Sequence, residues 1–466
     1  MHMNQPKRNR LPRYRILTAA VLLFYASAGA SPLTLPMAVE ETLKNNPDLL
    51  SAEETVSLAR SQVEKAKAAY WPKVGLYAEA LRADAPSAFL FKTIDQRLFD
   101  PGTDFNDPGI LTNIEGGLEM QMPLYNGGRN QLAVAFSRSG LSATEARRTS
   151  LQRHLISEVI NVWYDILSSR KFIDIAEESV RTVTAQLEAM TIRYKGGSAL
   201  KSDLLSLKVR LAEAEERLLA SNNRLKLSRA ALFTLLGQGP DTPDSLAVGD
   251  PFNDWSPPPY TEGLAHALER RCEIKGAQAM VDQAGTGVRT AKSGHHPVVQ
   301  LAGRLYADDD GFDHTADRAN WSVALRMDLP LFSGFSVEAD TRTARARERS
   351  AETLRKKTLL QVRLDVKNAY LRYDEAIKRH QVAENAVAMG EESLSLVKQQ
   401  FEGGSATITR YLEAELDRNS ARIREAAAFY DMKKALTAIA LATATSDNGP
   451  GSLFALHPAP STEQEK

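Results

Sequence analysis

The stretch "DDDGFDHTADRA", residues 308–319, carries Asp308, Asp310 and Asp313 at spacings loosely like those of a calcium loop. The Glu that would close such a loop with both its oxygens is missing, so these acids are expected to form a solvated acidic rim. Adjacent His295 and His296 lack metal-ligand spacing and are expected to be structural or interfacial. Cys272 is the sole cysteine, which excludes an intrachain disulfide and leaves it the part of a small hydrophobe. No Ser/His/Asp arrangement, phosphate loop or metal cluster stands in convincing context, so no enzyme activity, cofactor or metal is expected. What remains are charges at set distances beyond two glycines. Asp203 lies six residues after Gly197, while Arg410 and Glu413 lie six and nine after Gly404.

Those glycines belong to a repeated turn. "YKGGSALKSDLL", from Tyr194, reappears as "FEGGSATITRYL", from Phe401, at an offset of 207. The same offset lays "NVWYDIL" (from Asn161) on "NAYLRYD" (from Asn368) and "MPLYNGG" (from Met122) on "LPLFSGF" (from Leu329). Nearer the start of each copy the offset is 225, matching Pro72 to Pro297, so copy one holds an 18-residue excess between Pro72 and Met122. The chain is thus a duplication. The first repeat covers 31–236 and the second 261–444, joined by a linker rich in Pro, Gly and Asp over 237–260 and followed by a mobile tail over 445–466.

Each copy alternates two periodicities. From Leu155 through Val159, Val162 and Ile166 to Val183, Leu187, Met190 and Tyr194, apolar positions recur at steps of four and three, a sustained heptad stripe. A second stripe, with Ile156, Ile160 and Trp163, means that this helix packs on two sides, which suits a ring of helices. Arg129 to Tyr194 is 66 residues, about 99 Å of helix. Two shorter helices, 36–71 and 198–236, are expected to stack end to end beside it. The equivalents in copy two are a long helix over 335–401 and a returning helix over 405–444.

Before each long helix the period falls to two. Ile114, Leu118, Met120 and Leu124 alternate with Asn113, Glu115, Glu119 and Gln121, and Trp321, Val323, Leu325 and Met327 alternate with Asn320, Ser322, Arg326 and Asp328. One oily and one polar face fits a barrel strand between lipid and water, or a half-exposed strand of a soluble sheet. With weaker partners at 74–82 and 298–307, the hairpins are expected over 72–124 and 297–331, the first enclosing a long external loop at 83–111 whose aromatics narrow the opening. Four strands are too few to close a membrane barrel, and open edges are not viable in lipid, so such a chain must oligomerise.

The first thirty residues have a basic start, an apolar run from Ile16 to Ala26 and Ala28-Gly29-Ala30, which reads as an export signal cleaved after Ala30, the alternative being an N-terminal anchor. Beyond residue 30 no apolar stretch reaches the length of a membrane helix. Equal numbers of basic and acidic residues, 58 of each, argue against nucleic acid as a partner.

The duplicated unit, the paired strand hairpins and the tip turn resemble the outer membrane efflux protein family of TolC type, over nearly the whole mature chain. The family's turn is an aromatic, two residues, Gly, five residues, then Asp or a substitute: Tyr194, Gly197 and Asp203 match in copy one, Phe401 and Gly404 in copy two, with Arg410 in the last place. The resemblance implies a mainly α fold with membrane β-strands: a homotrimer whose twelve-stranded β-barrel in outer membrane lipid continues as an α-helical barrel across the periplasm. It also implies a passive duct in a Gram-negative cell, docked through the tip turns at Tyr194, Gly197, Phe401 and Gly404 to a periplasmic adaptor and an inner-membrane transporter. Two turns in each of three chains would make six hairpins around the periplasmic mouth. There Asp203 and Arg410 are expected to pair between neighbouring hairpins as a gate, with Glu413 in a carboxylate ring that favours cations, the alternative being solvated helix charges. Small-molecule efflux is the first expectation for cargo and one-step protein secretion the second. A soluble periplasmic coiled-coil scaffold needs no alternating strands, and a diffusion porin needs many more strands and no such helix.

Overall fold

A computed structural model of the protein describes residues 33–242, 255–311 and 318–445. The export signal, the middle of the linker, Asp313 within the acidic stretch and the tail beyond 445 lie outside the described residues. The chain begins with α1 (Leu35–Asn45) and α2 (Pro47–Lys67), followed by β1 (Lys73–Ala83), α3 (Pro86–Asp95), β2 (Leu111–Asn126), α4 (Arg129–Lys195) and α5 (Lys201–Leu235). The second copy runs α6 (Tyr260–Arg270), α7 (Cys272–Lys292), β3 (Val298–Asp309), β4 (Ala319–Asp328), α8 (Ser336–Glu402) and α9 (Ile408–Thr443).

α4 and α8 are each 67 residues, about 100 Å of helix. They are rod-like because no proline interrupts them and because their apolar positions keep the heptad step that side-by-side helices require. Both α2 and α5 pack along α4, as two shorter helices flanking a long one must. The helix expected over 36–71 is in fact two. Asn46 precedes Pro47 and is extended (φ −65°, ψ 125°), since the proline ring crowds a helical residue before it. The Asn46 side chain then caps α2, accepting from the amides of Asp48 (3.0 Å) and Leu49 (3.3 Å).

Three cores tie the helices together. Leu35, Val39, Ile160, Trp163, Leu232 and Leu236 join α1, α4 and α5 midway along the rod, and Ala267, Val362, Val366 and Ile439 repeat the arrangement in copy two. Val183, Met190, Leu207, Val397, Tyr411 and Leu412 close the bundle towards its tip, and they come from both copies.

The strands form one antiparallel sheet in the order β1-β2-β3-β4, leaving β1 and β4 with one unpaired edge each. The register keeps side chains of one kind on one face: Leu76 lies beside Leu118, Leu118 beside Leu305, and Leu305 beside Trp321. That face stands open, with Leu76 83% and Trp321 76% exposed. On the other face Tyr77, Glu115, Glu119 and Arg304 alternate with them. Two expectations are corrected here. The segment 83–111 is not all loop: Pro86, well placed at the first turn of a helix, opens α3, which lies against the polar face. The second hairpin ends at Asp328, not at 331, because its partner β3 begins at Val298, opposite Asp328, directly after Pro297.

Candidate functional site

Each tip is built by one backbone device. In the first, Gly197 N–H donates to Tyr194 O (3.0 Å) and Ser198 N–H to Arg193 O (2.9 Å). In the second, Gly404 N–H donates to Phe401 O (3.1 Å) and Ser405 N–H to Gln400 O (2.8 Å). Both are Schellman caps, which need a left-handed residue, and Gly197 (φ 74°) and Gly404 (φ 79°) supply it. The repeated "GGS" is the sequence trace of this cap. Ser198 and Ser405 each add a hydroxyl bond to the same carbonyl as their amide.

The aromatic positions divide. Tyr194 is 39% exposed at the end of α4, whereas Phe401 stacks on Tyr411 at 5.5 Å between ring centres and carries the Arg193 guanidinium over its face at 5.7 Å. This sandwich ties the two hairpins to each other. Further up, Glu178 of α4 accepts from Arg418 (3.0 Å) and Arg422 (2.6 Å), one turn apart on α9. Burial alone would raise the Glu178 pKa, but the bond from Arg422 and the charge of Arg418 outweigh it and hold the carboxyl below the usual range. Glu415, 2% exposed on the same helix, goes the other way: burial pushes its pKa up despite Arg418 and a bond from Asn419.

Asp203 sits in the first turn of α5, where a negative charge suits the helix dipole. Arg410 occupies the equivalent place on α9, its amide donating to the Thr407 hydroxyl at 3.3 Å. Within one chain Arg410 reaches not Asp203 but Glu413, at 3.6 Å, with both side chains at least half exposed. Arg410 and Glu413 thus stand in water at the second turn, and Asp203 is half-buried at the first.

At the opposite end, the polar face of the sheet holds an ion network. Glu115 accepts from Lys92 (2.5 Å), Tyr77 (2.5 Å) and Arg304 (2.6 Å). Lys92 also donates to Asp308 (2.8 Å), as does Asn113 (2.7 Å), which in turn accepts from Gln96 (2.8 Å). Asp308 and Asp309 are therefore buried, at 0% and 1% exposure, and not part of a solvated rim; Asp309 pairs with Arg318. Asp310, at 65% side-chain exposure, does face water. One oxygen of each carboxylate is held, Asp308 by Lys92 of α3 and Asn113 of β2 and Asp309 by Arg318, while the second oxygen of each is buried without a partner among the described residues. Among the described residues no group of acids, histidines and Cys272 has the geometry of a metal site. His295 lies 3.9 Å from Glu338, and His296 3.4 Å from the Tyr125 hydroxyl. Cys272 is buried at the start of α7, and burial pushes its thiol pKa up.

Sequence reasoning missed Arg193, Glu178 and Arg422 because their partners lie more than two hundred residues away in the other copy, and Tyr411 because its stacking on Phe401, ten residues earlier, needs the turn between them. The one available signal was Arg418 and Arg422 at a four-residue step, which on a helix makes one cationic face. It missed Lys92 and Gln96 for a different reason, since their helix lies in a segment read as loop.

The sequence pattern of the family described as outer membrane efflux protein matches residues 38–238 and 263–445, one match on each copy. Protein CyaE of Bordetella pertussis is 22% identical over 423 residues, 90% of this chain and 85% of the relative. The outer membrane efflux protein BepC of Brucella suis is 22% identical over 436 residues, 92% of this chain and 90% of the relative. Among solved structures, a membrane protein from Pseudomonas aeruginosa superposes with a TM-score of 0.77 at 19% identity, covering 88% of this chain and 93% of that one.

Proposed function

This chain belongs to the outer membrane efflux protein family, non-enzymatic channels of the outer membrane that extend into the periplasm, and on that premise we propose that three copies form one passive exit duct. The observation that carries this reading is a sheet with two unpaired edges and an exposed apolar face, mounted on helices about 100 Å long. Unpaired strand edges cannot face hydrocarbon, so β4 of one copy pairs with β1 of the next, and three copies close twelve strands. Trp71, Phe332 and Phe335 stand 67–76% exposed where strands meet helices, the place for rings at a membrane interface. On α8, Leu364, Leu371, Val382, Met389 and Leu396 form an uncovered stripe that a neighbouring copy buries.

The inner-membrane transporter supplies the energy and a periplasmic adaptor grips the tips at Tyr194, Gly197, Phe401 and Gly404. At rest Arg410 pairs with Asp203 of a neighbouring hairpin, while Glu413 faces the aperture and favours cations. The exposure of Arg410 and Glu413 and the place of Asp203 in the first turn of α5 support this. Arg410→Ala should then raise conductance in a planar bilayer; unchanged conductance contradicts the gate. Cargo is a small molecule, with a secreted polypeptide as the second reading. In-cell photocrosslinking from Lys201 or Thr409 tests the docking: capture of an adaptor from a proton-driven pump agrees with small-molecule efflux. An adaptor of an ATP-driven secretion system moves the cargo to polypeptides, and no adaptor at all contradicts the duct.

A further inference from the structure

We propose that α3 is a strap across the outer mouth of the duct, latched to the barrel wall by Lys92 and closed by its apolar face meeting the same face of the two other copies. The inference rests on the trimeric barrel proposed above, and deepens it by placing a second closure at the end opposite the tips.

α3 is amphipathic in an unusual sense. Lys92 and Gln96, four residues apart, face the sheet, while Phe89 meets the ring of Phe105 in the loop that follows. The latch reaches three strands: Lys92 holds Glu115 on β2 and Asp308 on β3, while just beyond the helix Arg97 donates to Asn320 of β4 (3.2 Å) and Asn320 donates to Asp95 O (3.1 Å). The opposite face carries Phe91 and Ile94, three residues apart and 65% and 46% exposed, and just past the helix, beyond the left-handed Arg97, Leu98 is 44% exposed. These side chains point away from the wall to which α3 is latched.

The register decides which way this is. α3 lies on the face of Tyr77, Glu115 and Arg304, and the other face is that of Leu76, Leu118 and Trp321. Charges on the lipid side of a barrel are costly, so the face under α3 is the inside and the apolar face of α3 points at the barrel axis. Twelve strands about 4.8 Å apart and tilted about 40° enclose a bore of roughly 24 Å between backbones. A helix with its side chains is about 10 Å across, so three such helices on the inner wall cannot keep apart. The partner for that apolar face is therefore two further copies of itself, brought there by the same closure that pairs the sheet edges.

Lys92 is what makes the strap releasable. Without it Glu115 and Asp308 face α3 as buried carboxylates with one cation fewer, and the helix loses its charged contact with both β2 and β3.

The test uses the full-length protein in the outer membrane with Cys272→Ser as background. Ile94→Cys should give disulfide-linked dimers on mild oxidation, with about two-thirds of chains linked, because three thiols at a threefold axis form one bond and leave one thiol over. Absence of dimers, in a sample that chemical cross-linking elsewhere shows to be trimeric, overturns the strap; absence of trimers overturns the barrel on which it rests. In parallel, Glu119→Cys, deeper on the same inner face, is labelled from outside the cell with a bulky impermeant maleimide. Lys92→Ala, or Lys92→Gln where the first does not assemble, should speed labelling at least tenfold. An unchanged rate in an assembled variant also overturns the proposal.

Discussion

Glu178 of α4 and Arg422 of α9 are joined by a 2.6 Å hydrogen bond between the two copies of the repeat, and Arg418 reaches the same carboxylate from one turn away. The folded Glu178 binds protons less readily than the unfolded one, so its contribution is complete above the ordinary carboxylate pKa and is lost as pH falls through the lower folded value. Glu178→Gln should lower stability by about 1 kcal/mol at pH 7, a figure reduced for partial exposure. Urea midpoints of variant and parent should differ equally at pH 7 and pH 5.5 and converge only below about pH 4.

Glu415 predicts the reverse sign. Its folded pKa is raised, so ionised Glu415 opposes folding above that value, and the penalty vanishes below the unfolded pKa. Glu415→Gln should therefore raise the urea midpoint at pH 7, with the gain disappearing below about pH 4. A loss of stability at pH 7 would show that the charge is needed.

The glycines rank by what surrounds them. Gly197→Ala and Gly404→Ala place a methyl group in open space, leaving only the left-handed backbone at a cost of about 1 kcal/mol each. Gly237 is also left-handed (φ 75°), but a Cβ there would lie 2.4 Å from Asn45 O. Gly237→Ala should cost several-fold more, measured by thermal unfolding of the three variants side by side.

The two faces of the sheet predict unequal tolerance of charge. Val323→Arg, on the apolar face, should cost on the order of 2–4 kcal/mol of folding into lipid vesicles. Glu79→Arg, on the inner face opposite Glu115, should cost little. Equal losses in refolding yield would mean that the apolar face does not meet lipid.

The mainly helical, duplicated fold was legible because its signals are periodic and long. Two offsets, 207 and 225, carried the repeat, and the alternation of Ile114 and Leu118 with Glu115 and Glu119 carried the two faces of β2. Breaks were harder to read than periods: Asn46-Pro47 divides a helix whose apolar spacing continues across it. α3 was hidden because ten residues supply too few turns for a periodic signal, amid Phe and Pro that resemble a loop. Burial of Asp308 was invisible for another reason, since Lys92 and Asn113 lie about two hundred residues earlier and only the register brings them near. The tip showed the same limit. Its turn could be read from Gly197 and Gly404, whereas the contact of Phe401 with Tyr411 and Arg193 needed the packed hairpins.

The central claim is that this four-stranded chain is one third of a barrel. The mass of the native particle extracted in detergent from the outer-membrane fraction tests it most directly. Three chains per particle, recovered from that fraction, is the result the account predicts. A single chain, or a particle found in the soluble periplasmic fraction, would contradict it.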